Sequence, residues 1–477
     1  MAHGTGVRLA FVFALAGSLA SAAFAFNVSF SKIAAAPNRG GPHADLNGDG
    51  REDFASLNNV TGGFDVVLSS GDGKYAAPVP YSIPGGADSR AILIGDFNGD
   101  GKADLLVGGY PDNALHLFLN NGLGGFSQKA VFPNWVLGDF TSVVGDFNHD
   151  GCMDIAFVAH GGLSITVWFG NGKGGFTAGP TSLIPFNKGA ALCDNHLQMG
   201  DFDGDGRADL ICDGILNADA TVLYGDGTGR FPAGSVIHTL SNYSGFELGD
   251  ADGDGKMDVF VEQGNPELEN ISVRYGSAAR TWTRTSTLPT FHFVQDVTAA
   301  DLNGDGINDL IVGEVSGDSP NTATYYVGVL LRNSNGSYQK EQIVETGDFL
   351  NLVIRANRDA KPDISLGNAV LLNTTVGNFP PCAAPNAFEG INVCSPAAGA
   401  TVPSPVAFKV GAAGQVPMRD VEVWVDGKKV ALQVYGFSHY TFLNRSASLS
   451  AGTHTIGIFA AGWDQSLQKK TFTLKVK

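Results

Sequence analysis

The residues best suited to chemistry in this chain are carboxylates gathered in short loops. In Asp201-Phe202-Asp203-Gly204-Asp205-Gly206-Arg207-Ala208-Asp209, acids stand at positions 1, 3, 5 and 9, with a glycine at position 6. Alternate residues of a tight loop can aim their oxygens at one point, and the glycine permits the sharp bend this needs. Carboxylates placed so close together repel unless a hard cation lies among them, and an all-oxygen donor set suits Ca2+. The loop reads as a calcium cage. The same pattern recurs at Asp45, Asn47, Asp49 and Asp53, at Asp96, Asn98, Asp100 and Asp104, and at Asp146, Asn148, Asp150 and Asp154. Beyond the copy quoted first, it returns at Asp250, Asp252, Asp254 and Asp258 and at Asp301, Asn303, Asp305 and Asp309. About six bound Ca2+ ions are expected from these six loops.

The first positions of cages 1 to 6 are 51, 50, 55, 49 and 51 residues apart, and an altered seventh copy follows 54 residues later. There Arg355 replaces the first Asp and Ala360 replaces the Gly, while Asn357, Asp359 and Asp363 remain. A guanidinium at position 1 can neutralise Asp359 and Asp363 in place of a metal, so cage 7 is expected to be empty. An EF-hand or dockerin loop would carry an acid at position 12 and run into a helix. Position 12 is instead Ser56, Val107, Phe157, Cys212, Val261 or Val312, inside apolar runs of β type such as Asp309-Leu310-Ile311-Val312. Each loop therefore joins two strands.

The elements that position the cages follow from a second signature. After each cage comes a strand and then a glycine turn closed by an aromatic, as in Asn121-Gly122-Leu123-Gly124-Gly125-Phe126, Asn171 to Phe176 and Asp226 to Phe231. Asn-Gly and Asp-Gly supply the positive φ of hairpin turns. One unit is then strand, cage, strand, connection, strand, turn, strand. With 64 Gly, 21 Pro and no amphipathic helical window, the fold class is all-β, and four strands every 50 or so residues make one propeller blade. Seven units predict a seven-bladed β-propeller. Blade 7, with strands near Leu352–Ile354, Ile364–Leu366 and Ala369–Asn373, lacks a fourth strand, and Asn27–Ile33 precedes the first cage without a blade of its own. The N-terminal strand is expected to complete blade 7. An open solenoid, the competing arrangement, would not need that complementation.

Taken together, the two signatures resemble the FG-GAP repeat family, the calcium-binding blades of integrin alpha-chain propellers and of many secreted microbial proteins. The resemblance covers about Asp45 to Phe379. It implies calcium held by the side chains at positions 1, 3, 5 and 9 and by the backbone carbonyl at position 7, here Arg51, Lys102, Cys152, Arg207, Lys256 and Ile307. It does not fix function, because such propellers serve adhesion, glycan binding and accessory roles to enzymes.

The domain boundaries expected are a secretory signal at 1–25, the propeller at 26–380, a linker at 381–390 and a small Ig-like β-sandwich at 391–477. The signal carries one charge, Arg8, an apolar run from Leu9 to Ala16 and a small-residue end at Ala23-Phe24-Ala25. An N-terminal membrane anchor is the competing reading of that stretch. In the sandwich, Val421–Val425 and Val430–Val434 flank the turn Asp426-Gly427, and Thr453–Phe459 and Thr471–Val476 read as further strands. The layout resembles bacterial Ig-like modules. Of five cysteines, Cys382 with Cys394 and then Cys193 with Cys212 are the candidate pairs, which would leave Cys152 as a free, buried thiol; sequence alone leaves the connectivity open.

The net charge is −17 although only 16% of residues are charged. Loss of Arg8 makes it −18 and six divalent ions contribute +12, leaving −6, so the acidity is mostly a property of the cages. Nucleic acid is excluded as a partner on these grounds. No H-E-x-x-H or G-x-S-x-G motif occurs. Gly317-Asp318-Ser319-Pro320 resembles a hydrolase-type segment but reads better as a turn. His149, at position 4 of cage 3, reads as a solvent-facing loop residue. Trp135, Tyr110, Phe186, Tyr243 and Trp282 could stack on sugars or pack between blades. The function expected is a secreted, non-catalytic binding or adhesion module for a glycan or an extracellular protein. The alternative is a carbohydrate-active enzyme, a polysaccharide lyase or hydrolase, marked by a convergent His/Arg/Tyr or carboxylate cluster at the central channel.

Overall fold

The computed structural model describes residues 28–477 apart from interruptions of one to eight residues, of which 134–141 and 185–192 are the longest. The signal expected at 1–25 lies outside the described residues, as do Arg355 and the segment 317–320. Among the described residues every regular element is a strand, and no helix is long and apolar enough to cross a membrane.

Seven four-stranded antiparallel sheets follow the cage repeat. Blade 2 is typical: Asp88–Gly95, Asp104–Tyr110, Ala114–Asn120 and Phe126–Phe132 pair in sequence order, and cage 2 joins the first two. The second and third strands are mostly apolar and buried because both faces of each blade are covered. Leu105, Leu106 and Val107 are all fully buried. The fourth strands, such as Phe126–Phe132, are largely exposed and form the rim. The first strands of neighbouring blades touch one another, blade 2 with 3, 3 with 4, 5 with 6 and 6 with 7, and so form the innermost ring.

Blade 7 is completed as the sequence predicts. Phe30–Ala34 pairs antiparallel with Ala369–Asn373, in register from Phe30 opposite Asn373 to Ala34 opposite Ala369. The hydrophobic clusters run continuously around the ring, and Phe54 and Val67 of blade 1 pack on Ile354, Ala356 and Val370 of blade 7. A solenoid would leave those two end faces apart. The chain is a closed seven-bladed β-propeller.

The blades are also stitched by backbone hydrogen bonds. In blades 2, 3 and 4 the second glycine of the turn donates to the carbonyl at position 2 of the preceding cage: Gly124 to Leu46 at 3.0 Å, Gly174 to Phe97 at 2.8 Å and Gly229 to Phe147 at 2.7 Å. Gly73 of blade 1 reaches Ala356 of blade 7 in the same way at 3.4 Å. The aromatic that ends each turn packs beside these bonds, edge-on, as in Phe97 with Phe176 and Phe147 with Phe231. Trp282 is in this class. It packs on Phe202 and donates its indole N–H to Ser235 at 2.9 Å. Trp135 and Phe186, and the side chains of Tyr110 and Tyr243, lie outside the described residues.

The C-terminal strands form two sheets around a separate core that includes Phe408, Val410, Val421, Val423, Leu443, Ile456 and Ile458. One sheet holds Gly390–Ser395, Val406–Ala413 and Tyr440–Ala447. The other is built on Met418–Val425, Gly452–Gly462 and Leu467–Val476, with Lys428–Val434 and the short Thr401–Val402 at its edges. Asp426 and Gly427 turn the predicted hairpin with φ of 50° and 77°. Both expected disulfides are present, Cys193–Cys212 within blade 4 and Cys382–Cys394 between the connector and the first strand of the sandwich. Cys152 is free, as expected, but half-exposed rather than buried. Its place on the cage 3 loop, at the end of the blade, leaves one side of the thiol open.

Candidate metal centre

Each cage is shaped by its own carboxylates. In cage 1, Asp45 accepts the N–H groups of Gly48 at 2.7 Å, Asp49 at 3.1 Å and Gly50 at 2.7 Å, and the loop wraps around this first acid. Asp96 and Asp201 are wrapped in the same way. The residue at position 3 then accepts from the N–H of position 5, and position 5 from position 7, as in Asp203 to Asp205 to Arg207. Position 4 is left-handed, glycine in most cages and His149 at φ 60° in cage 3. His149 is exposed, and its ring lies against Gly227 of the next blade's turn.

These turns bring oxygens together. In cage 4 the carboxylates of Asp201, Asp203 and Asp209 offer atoms within 4.8 Å of one another, and in cage 5 those of Asp250, Asp252 and Asp254 do the same. Such clusters can hold a metal ion. In cages 1, 2, 3 and 6 an Asn stands at position 3, so Asn47, Asn98, Asn148 and Asn303 would supply a neutral amide oxygen where cages 4 and 5 supply a charge.

The acid at position 9 has a second task that its spacing does not reveal. Asp209 accepts the N–H of Phe202 at 3.0 Å and that of Gly225 at 2.8 Å, tying the cage to the end of the third strand. Asp53, Asp154, Asp258 and Asp309 make the equivalent pair of bonds. Asp363 makes it too, with Ala356 at 3.0 Å and Asn373 at 2.8 Å, although cage 7 has lost its first acid. This carboxylate is a clasp in its own right, whatever else it binds. Burial pushes Asp53 and Asp209 up to about 8, against the pull of their backbone donors and reinforced by neighbouring cage acids. Burial likewise raises Asp104 and Asp154 to about 7. A cation in the loop would reverse the repulsive part of that shift.

Cations already stand beside several cage acids. The side chain at position 7 bonds the acid at position 5, as Arg207 does Asp205 at 2.8 Å and Lys256 does Asp254 at 2.6 Å. Two arginines arrive from the last turn of blade 5. Arg280 bonds Asp203 at 2.7 Å from above the ring of Tyr224, and Arg284 bonds Asp252 from above the ring of Tyr275. Sequence reasoning placed a compensating arginine in cage 7, at Arg355, and missed these two, whose distance along the chain gives no local signal.

A second cluster lies on the innermost strands. The residue two before the partner of each position-9 acid is Leu93, Val143, Gln198, Glu247, Thr298 and Leu352 in blades 2 to 7, and all are half-buried. Three consecutive blades thus present polar groups where the others present apolar ones. Glu247 is pushed up to about 8 by burial and by Asp296, while His196 and a hydrogen bond from Gln198 act against the shift. Asp296 is open to solvent yet crowded by surrounding protein, which raises it to about 6. His196 is held by Asp213, which accepts its backbone N–H at 2.8 Å and faces Nδ1 at 3.2 Å. That bond raises the imidazole above its usual value.

The repeats and the C-terminal domain each match a known protein family. Residues 45–107, 96–157 and 146–212 match the FG-GAP-like repeat, and residues 391–458 match the bacterial Ig domain. A protein structure from Lactobacillus plantarum is similar at 13% identity, over 66% of this chain and 86% of the other, with a TM-score of 0.42. The V. cholerae biofilm matrix protein Bap1 is similar at 14% identity, over 82% and 68%, with a TM-score of 0.31. An exo-beta-1,3-galactanase from Phanerochaete chrysosporium is similar at 11% identity, over 85% and 99%, with a TM-score of 0.33. No curated protein sequence matches the chain. The chain thus carries three FG-GAP-like repeats within residues 45–212 and a bacterial Ig domain within residues 391–458.

Proposed function

We propose that the chain is an exported, calcium-stabilised propeller that acts as a non-catalytic binding or adhesion module for a glycan or an extracellular protein. The observation that carries this reading is the convergence of carboxylate oxygens in cages 4 and 5. All donors there are oxygen, which suits Ca2+ over softer metals. In cages 1 to 6 the ligands would be the side chains at positions 1, 3, 5 and 9 with the carbonyl at position 7. Two disulfides are consistent with an oxidising compartment. Calcium would bind the folded loops and not the unfolded chain, so each site held at a hundredfold excess over its Kd adds about 2.7 kcal/mol. Thermal unfolding in calcium and in chelator tests the metal, and an unchanged Tm would overturn it. A glycan array probed with the calcium-loaded protein tests the ligand class, and a blank array would redirect the search to proteins.

A second reading, a polysaccharide lyase or hydrolase, is favoured by the inner-strand cluster. Glu247 near 8 and Asp296 near 6 differ in the way an acid and a base must differ, and the charge of His196 acts on Glu247. Release of reducing or unsaturated ends from a polysaccharide panel, lost in Glu247→Gln, would establish it. Binding without release would leave the binding module.

A further inference from the structure

The Ig-like domain meets the propeller at its cage loops. Arg419, at the start of the Met418–Val425 strand, donates from Nη1 to the carbonyl of Gly206 in cage 4 at 3.3 Å. Asn444, on the Tyr440–Ala447 strand of the other sheet, donates to the carbonyl of Gly304 in cage 6 at 2.9 Å. At this junction lies a cavity of about 180 Å³, lined by Asp250 and Asp252 of cage 5, Ile307 of cage 6, Arg332 and Ser334 of blade 6, and Arg445 of the Ig-like domain. Arg445 and Arg332 both lie near enough to Asp305 to act on its charge. The contact thus spans three consecutive cages and draws on both sheets of the sandwich.

The two accepting carbonyls belong to left-handed glycines, with φ of 84° at Gly206 and 76° at Gly304. Their own N–H groups are held by the first acid of the cage. Gly206 donates to Asp201 at 2.9 Å and Gly304 to Asp301 at 2.7 Å. The N–H groups of the accepting peptides themselves are held in the same way, Arg207 by Asp205 at 2.9 Å and Asp305 by Asp301 at 3.1 Å, so the carboxylates that would hold the metal fix the peptides that receive the domain. We propose that the face of the Ig-like domain around Arg419, Asn444 and Arg445 is a docking surface for the cages of blades 4 to 6, and that docking and calcium loading of those cages support each other.

The direction follows from the groups involved. Filling a cage orders the loop that presents the carbonyl, so less conformational entropy is lost when the domain docks. The opposing effect is a loss of attraction between cationic side chains and loops that have gained positive charge. It is small, because Arg419 already carries Asp420 at 2.8 Å as its counter-ion. Linkage is reciprocal, so loss of docking must weaken calcium binding by the same factor that loss of calcium weakens docking.

This inference rests on the calcium reading, and the test separates the two. Full-length protein, the Arg419→Ala/Asn444→Ala double variant and Lys428→Ala, an exposed control at the far edge of the sandwich, are each titrated with calcium by calorimetry. Their small-angle scattering is recorded in calcium and in EGTA. Wild type and the control should be more compact in calcium than in EGTA. The double variant should be extended in both, with part of its sites weakened about fivefold, at the low end of typical couplings. A double variant whose isotherm superimposes on that of wild type, or a wild type whose scattering ignores calcium, overturns the coupling while leaving calcium binding intact. A wild type that takes up no calcium overturns both.

Discussion

At the scale of single residues, the cage acids separate into those that would serve only a metal and those that also hold the backbone. Asp205 is part-exposed and bonded to the adjacent Arg207 side chain and N–H, so its removal in chelator should cost less than about 1 kcal/mol. With calcium present, Asp205→Ala should forfeit much of the stabilisation due to cage 4, whereas Asp359→Ala in cage 7 should forfeit none. Equal losses would contradict an empty seventh cage. Asp363→Ala should behave differently from both. It strands the buried N–H groups of Ala356 and Asn373, at a cost of about 2 kcal/mol or more, with or without calcium. Melting the three variants in calcium and in EGTA distinguishes the roles. The carboxylate positions were legible in the sequence because local spacing alone sets the loop geometry. Arg280, Arg284 and the Glu247–Asp296 pair were not, because strand pairing and blade closure bring them to their partners.

The blade is the next scale, and its unit of cohesion is the glycine turn seated on the preceding cage. Gly229 has φ of 77°, and a Cβ there would lie 2.6 Å from the ring of Phe169. Gly151, with φ of 81°, has nothing within 4 Å of the same added atom. Both alanine variants bear the strain of a left-handed backbone, about 1 kcal/mol or more. Gly229→Ala should lose about 1–3 kcal/mol further through overpacking, and the comparison in EGTA keeps cage 3 from confusing the result. Similar melting temperatures for the two would mean that the turn yields and is not a rigid stitch. The glycines and their closing aromatics were readable as hairpins, but their seat on the neighbouring blade was not. That contact joins residues such as Gly124 and Leu46, whose association depends on the blade-to-blade packing angle and not on either local pattern. The short first strands, only four residues in Ser142–Gly145 and Leu197–Gly200, also carried too few residues for their alternation to declare itself.

For the whole molecule, closure was foreseeable from the count of strands, since one unit lacked its fourth and one strand lacked a unit. The docking of the Ig-like domain on the cages was not, because Arg419 and Asn444 sit in ordinary alternating strands with no motif. Closure also makes the buried clasps act together, and this gives the stability a definite dependence on pH. In the metal-free protein Asp53 and Asp209 titrate near 8 and Asp104 and Asp154 near 7, far above the ordinary 3.8. A raised carboxyl binds its proton more tightly in the folded state. Its contribution is complete below about 4 and is lost as pH rises through the folded value. Without calcium, Tm should therefore fall between pH 5 and 8. Glu247 and Glu341, both near 8 and both outside the cages, and Asp363 in cage 7 add to the same fall without involving metal. Calcium must displace the cage protons, so its affinity, and with it the gap in Tm between calcium and chelator, should widen across that window. The residual decline in calcium would then belong to Glu247, Glu341 and Asp363, with Asp296, raised to about 6, adding to its lower part. Two curves that run parallel from pH 5 to 8 would mean that calcium does not compete with these protons, and the cage carboxylates would be left as clasps alone.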